Sequence, residues 1–295
     1  MRPVLPPLLT LALVFLTLTP PLQAQSPEDL KVFISVDMEG ISGVVTSEEC
    51  NASGSDYGYF RRIMSEEANA AVLGAFDAGA TEVVVRDSHG SARNILPGLL
   101  DPRARLIRDW SGGPQGMMEG LDESFDAVVF IGYHARAGTP DAIIDHTSSG
   151  NVTDFAINGV SLPEAGYNAL MATHYGVPVV FVAGDEAVVD QVQELFGEVA
   201  TVATKEGIGA ASNGLHPEAA AEMIREGVAD AVSNRDRYGL FDLEKPYTLT
   251  LKLKTEQSVW NGSWFPGARR TGDWDLTYTS NEILEVMYAF NVMKR

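Results

Sequence analysis

Four short stretches of the chain are almost uninterruptedly apolar: KVFISV (31–36), TEVVVR (81–86), DAVVFIG (126–132) and VPVVFVAG (177–184). Runs of this length separated by helical patterns predict parallel strands covered on both faces. Between the first two, FRRIMSEEANAAVLGAFDAGA (60–80) repeats Ile63, Ala70 and Phe76 at helical spacing before Gly79 ends the helix. PEAGYNALMATHYG (163–176) predicts a second helix, with Pro163 suited to its first position and Gly176 to its end. In FAINGVSL (155–162) the pair Asn158-Gly159 predicts a tight β-hairpin. Beyond residue 200 the pattern changes. HPEAAAEMIREGVADAVSN (216–234) predicts a helix, and YTLTLKLKT (247–255) alternates Leu249, Leu251 and Leu253 with Thr250, Lys252 and Lys254, as a half-exposed strand does. The expected fold class is α/β: a mainly parallel sheet with helices on both faces, plus a smaller C-terminal α+β portion.

The N-terminal sequence MRPVLPPLLTLALVFLTLTPPLQAQ has one arginine, an uncharged apolar run over 8–18 and a small residue at Ala24 after Pro20 and Pro21. That pattern predicts a secretory signal over 1–24 and a secreted or periplasmic protein. The expected division is then 1–24 signal, 25–200 metal-binding α/β domain and 201–295 C-terminal α+β portion, with no membrane attachment once the signal is removed. Loss of Arg2, the only charge in the signal, takes the net charge from −19 to −20. So acidic a chain repels phosphate backbones and anionic lipid, which argues against nucleic-acid and membrane-surface binding. Cys50 is the only cysteine, so no intramolecular disulfide forms.

Each apolar run ends in polar residues: Asp37-Met38-Glu39, Asp87-Ser88-His89, Tyr133-His134 and Asp185-Glu186. In open parallel sheets ligands bind beyond the carboxyl ends of the strands, so several strands deliver carboxylates and imidazoles to one place. Asp37 and Glu39 are two apart and point to the same side of an extended backbone. His89 and His134 add nitrogen donors, and mixed nitrogen and oxygen sets suit zinc, with carboxylates able to bridge two ions. Any one strand-end aspartate is more simply a helix cap or loop residue. Glu164 alone reads as a carboxylate complementing a helix N-terminus, and His174 and His216 read as helix-terminal residues. No G-x-S-x-G elbow, P-loop, dinucleotide glycine fingerprint or H-E-x-x-H occurs, which leaves serine-hydrolase, nucleotide and zincin readings without support. The residues by themselves reach a metal site on an α/β sheet and do not name a reaction.

SVDMEGISG (35–43), EEAN (66–69), VRDSHG (85–90), MMEGLD (117–122), FIGYHARAGTP (130–140), ING (157–159), PEAGYNA (163–169) and VAGDE (182–186) resemble, in order and spacing, the D-aminopeptidase family of zinc metallopeptidases. The likeness continues more weakly through WFPGARRTG (264–272), while 46–59 and 200–245 depart from the pattern. The resemblance implies two zinc ions per subunit, with Asp37 as bridging ligand and Glu39, His89, His134 and Glu164 as the others. His146 stands at the family's active-site histidine. The segment from His134 to His146 contains glycine and proline and can fold back over a metal held by His134. The resemblance also implies a ring-like homo-oligomer and short peptide substrates with N-terminal D-amino acids, cleaved by metal-activated water. D-alanine-rich wall peptides fit an exported enzyme. The alternatives are an exported peptide- or metal-binding protein without turnover, and a metal-dependent hydrolase of a non-peptide amide.

Overall fold

The computed structural model describes residues 29–295, so the expected signal segment lies outside the described residues. The chain runs β1 (Lys31–Val36), α1 (Ser47–Cys50), α2 (Tyr57–Asp77), β2 (Glu82–Asp87), β3 (Arg105–Ile107), β4 (Ala127–Tyr133), β5 (Val152–Ile157), β6 (Val160–Ser161), α3 (Glu164–His174) and β7 (Val179–Asp185). It continues through α4 (Glu186–Phe196), β8 (Ala200–Ile208), β9 (Ala211–Gly214), α5 (Pro217–Ser233), β10 (Tyr247–Leu253), α6 (Glu256–Gly262), β11 (Arg269–Arg270), β12 (Asp275–Ser280) and α7 (Ile283–Met293). The main sheet has the order β3-β2-β1-β4-β7-β8-β9, parallel except for β9 against β8. The expected α/β class with a mostly parallel sheet is the class observed. From β1 the chain first builds outward to β2 and β3, then returns to lay β4 on the other side of β1. Strand order reverses between β1 and β4, and a crevice opens beyond their carboxyl ends.

Alternate residues of β1 explain why both faces must be covered. Val32, Ile34 and Val36 pack under α2 and α5, whereas Phe33 faces the other core with Phe130, Val182 and Val188. That second core is closed by α3, α7 and an antiparallel sheet of order β11-β12-β10-β5-β6. The alternation over 247–253 is what places Leu249, Leu251 and Leu253 in this core, with Lys252 exposed. Asn158 and Gly159 have φ of 53° and 83°, so the β5–β6 hairpin turns where the pair predicts. Sheet membership crosses residue 200 in both directions, because β5, with β6 on its far side, pairs with the late strand β10 while β8 and β9 extend the main sheet. Among the described residues no helix is long and apolar enough to cross a membrane.

Two backbone features aim the strand ends. Gly132 adopts φ 71° near the end of β4, where the register with β7 shifts, and this break sets the direction in which the chain runs on to His134. A Cβ on Gly132 would collide with the Asp37 carbonyl oxygen and lie 2.8 Å from Ile41 Cγ2. The loop after β1 is held from below by buried Lys205 of β8, whose Nζ donates to the carbonyls of Glu39, Ile41 (3.0 Å) and Val44 (2.7 Å). Buried Glu67 of α2 accepts from Ser42 N and Oγ at 2.9 and 2.5 Å, and burial pushes its carboxyl up to about 7.

Gly132→Ala combines left-handed strain of about 1–2 kcal/mol with a clash against the strand that carries Asp37. The expected result is a melting temperature lower by at least about 5 °C together with weaker metal retention. Thermal unfolding and elemental analysis of the purified variant check both, and wild-type values for both would show that this turn does not aim the strand ends.

Candidate metal centre

Asp37 and Glu39 leave β1, His89 follows β2, His134 follows β4, and Glu164 opens α3 behind Pro163. The structure brings all five together with His146, and all but His89 and His146 are buried. The donors form two groups, Asp37/Glu39/His89 and His134/His146/Glu164, each with one ligand atom per residue mutually within 4.8 Å. Asp37 joins them. Its Oδ1 lies 3.2 Å from His89 Nδ1, and its Oδ2 lies 3.5 Å from His134 Nε2. One carboxylate therefore offers an oxygen to each group, the arrangement a bridging ligand needs.

The imidazoles are set for metal binding by their outer nitrogens. His89 Nε2 donates to the Cys50 carbonyl at 3.0 Å, His134 Nδ1 to the Ala135 carbonyl at 3.0 Å, and His146 Nδ1 to the Ile144 carbonyl at 3.1 Å. A proton on each outer nitrogen leaves a lone pair on the inner one, and backbone carbonyls fix metal-binding histidines in this way. His134 Nε2 is buried with no hydrogen-bond partner, 3.5 Å from Asp37 Oδ2 and 3.6 Å from Glu164 Oε1. A buried polar atom without a partner is costly, and a cation among these oxygens satisfies it. The residues fit zinc: neutral nitrogen and carboxylate donors, closely placed, on rigid element ends.

Protonation within the cluster tells the same story. Burial, then the charges of Glu39 and Glu164, raise the Asp37 carboxyl well above its ordinary range. Burial opposes ionisation of Glu39 as well, but the His89 charge and hydrogen bond outweigh it and hold that carboxyl low. His89 is correspondingly raised, burial being overcome by Glu39. Protons therefore accumulate where a dication belongs, and metal binding to such a set releases them.

Strand-end carboxylates outside the cluster do structural work. Asp87 accepts from Asn94 N and Ile95 N at 2.6 and 2.7 Å, and Asp185 caps α4 by accepting from Val188 N at 2.7 Å. His174 ends α3 and His216 caps α5, as their settings predict. The Cys50 thiol is buried and pushed up by that burial, so the residue enters the site through its carbonyl alone.

A cavity of about 420 Å³ opens onto both donor groups. A sequence model described as D-aminopeptidase matches residues 30–292. The chain belongs to the D-aminopeptidase family. It is 37% identical to the D-aminopeptidase of Bacillus subtilis (strain 168) over 269 residues, which is 90% of this chain and 96% of that one. Among solved structures it is similar to the Zn-dependent D-aminopeptidase DppA from Bacillus subtilis, described as a self-compartmentalizing protease, with a TM-score of 0.86 and 34% identity over 90% of this chain and 96% of that chain.

In this member of the D-aminopeptidase family His146 occupies an intermediate position. Its N–H donates to the Ala135 carbonyl at 3.4 Å, its ring stacks on His134 with centroids 4.1 Å apart, and its Nε2 is 3.8 Å from Glu164 Oε1 and 4.0 Å from Glu39 Oε1. The segment after His134 thus folds back over the donors. The His146 side chain keeps 25% exposure while that of His134 keeps none, so of this stacked pair His146 is the ring that faces the cavity. Sequence reasoning missed Lys205 under the Glu39 loop and Lys294, whose Nζ reaches Ser148 Oγ at 2.6 Å. Neither carries a motif; each acts through a long-range contact that spacing along the chain cannot show.

Asp37→Ala removes the carboxylate that both groups share, and zinc content is expected to fall to less than half that of the wild type. His146→Ala is expected to retain near wild-type zinc. Elemental analysis of both purified variants checks this, and equal loss in the two would make His146 a ligand.

Proposed function

We propose that the protein is an exported aminopeptidase that uses two zinc ions to hydrolyse short peptides with N-terminal D-amino acids, D-alanyl peptides in particular. The observation that carries this reading is the pair of donor groups joined by Asp37 at the floor of one cavity, with a cavity-facing histidine above them. Membership of the family supports the reaction class, and the relative's zinc dependence supports the metal. Asp37, Glu39, His89, His134 and Glu164 would hold the ions. Zinc there supplies Lewis acidity toward a carbonyl and a lowered pKa for water.

The chain's own residues supply the rest. His146 Nδ1 is committed to the Ile144 carbonyl, so Nε2 is the atom through which this ring exchanges a proton with the cavity. As imidazolium it can donate from Nε2 to the departing amine or to the developing oxyanion, contributions of about 10²–10⁴ in rate. The His146→Ala enzyme should lose turnover on that scale.

The apolar N-terminal pattern supports export, and a wall-peptide substrate suits that location. The relative's self-compartmentalizing character supports a homo-oligomer. Trp260, Trp264 and Tyr288, 55%, 71% and 49% exposed, are surface aromatics of the kind that subunit contacts cover.

The direct test is hydrolysis of D-Ala-D-Ala, L-Ala-L-Ala and simple amides with and without chelator. Cleavage of D-Ala-D-Ala above the other two, abolished by chelator and restored by zinc, is expected. Turnover indifferent to chelator overturns the metal assignment, and cleavage of simple amides but not peptides makes the protein an amidase.

A further inference from the structure

The metal donors leave one charged group of the cavity without a task. Lys294 follows α7 and lines the cavity, where its Nζ donates to Ser148 Oγ at 2.6 Å and to Asn291 Oδ1 at 2.9 Å and lies 4.5 Å from the Phe290 ring centroid. Both acceptors are neutral. An ammonium carries three donors, and two are used. Among the described residues no carboxylate pairs with it. A largely desolvated cation whose hydrogen-bond partners are both neutral is costly, and ligand pockets use such groups to fix an anionic end.

The same serine links Lys294 to the donors, because Ser148 N–H donates to Glu164 Oε1 at 2.6 Å. The ammonium is thus joined to a carboxylate of the metal floor through one intervening residue. Successive residues of a peptide are about 3.8 Å apart, so a peptide held with its first carbonyl at the floor carries its second residue toward Lys294. Of the other charged walls, Asp37, Glu39 and Glu164 are taken up by the metals in the proposed site and Glu119 lies 3.6 Å from Arg86, which leaves Lys294 and the exposed Arg295 as the lysine and arginine of the lining. We propose that Lys294 binds the C-terminal carboxylate of a dipeptide, making this residue the selector for dipeptides with a free acid end over amidated or longer chains. The proposal rests on the aminopeptidase reading of the cavity.

The experiment compares D-alanyl-D-alanine with D-alanyl-D-alaninamide on the zinc-loaded wild type, Lys294→Met and Lys294→Arg. A hydrogen bond to a charged group contributes about 1.5–3 kcal/mol, so the wild type is expected to prefer the free acid by about 10- to 100-fold in kcat/KM, mostly through KM. Lys294→Met is expected to lose the preference, the acid falling to the level of the amide, and Lys294→Arg to keep most of it. The wild-type ratio decides even if a variant fails to fold: equal cleavage of acid and amide overturns the proposal and leaves the aminopeptidase reading standing. Equal slowing of both substrates in Lys294→Met overturns it too, and assigns Lys294 to support of Ser148 and Glu164. A wild type inactive on both removes the aminopeptidase reading, and the proposal with it.

Discussion

Three carboxylates, Asp37, Glu39 and Glu164, face one another in a space almost closed to water, each no more than 7% exposed. Like charges so placed repel strongly in a low dielectric, and the arrangement is tolerable only with positive charge among them. His89, whose imidazole is raised against its burial by Glu39 and Asp37, supplies part of it by holding a proton. A pair of dications supplies it better, since they keep every carboxylate ionised and take the lone pairs that the backbone carbonyls leave facing inward. The cost of assembling these anions is the physical reason why these residues suit a metal.

Holding such a cluster requires rigid supports, and the main sheet provides them. Asp37 N–H donates to the Ile131 carbonyl and Gly40 N–H to the Gly132 carbonyl, both at 2.8 Å, so β1 and β4 stay joined past the point where their ladder ends. Gly40 and Gly132 permit this approach because a side chain on either would strike the facing backbone. Lys205 then fixes the three carbonyls beneath Glu39. Each donor thus sits on an element end braced by the next, which is how a site keeps the geometry its chemistry needs.

The layers were legible because buried parallel strands are written as short apolar runs, and the runs over 31–36, 81–86, 126–132 and 177–184 fall within a residue or two of β1, β2, β4 and β7. Asp37, Glu39, His89 and His134 were legible for the same reason, since a residue just past such a run must emerge at the carboxyl edge. Glu164 and His146 were not, because a helix-opening glutamate and a loop histidine look alike in every protein; only resemblance to the family marked them. The joining of β5 and β6 to β10 was also hidden, because antiparallel pairing across some 90 residues leaves no local trace. Lys205 and Lys294 lie in patterns that predict solvated lysines, and their burial is fixed by what the fold packs over them.

In the proposed site Asp37 stands between two ions, its Oδ1 toward His89 and its Oδ2 toward His134. Anomalous diffraction at the zinc edge from crystals of the zinc-loaded protein tests this most directly. Two peaks about 3.5–4 Å apart, one beside Glu39 and His89 and the other beside His134 and Glu164, with the Asp37 carboxylate between them, are predicted. A single peak, or two peaks of which only one touches Asp37, contradicts it.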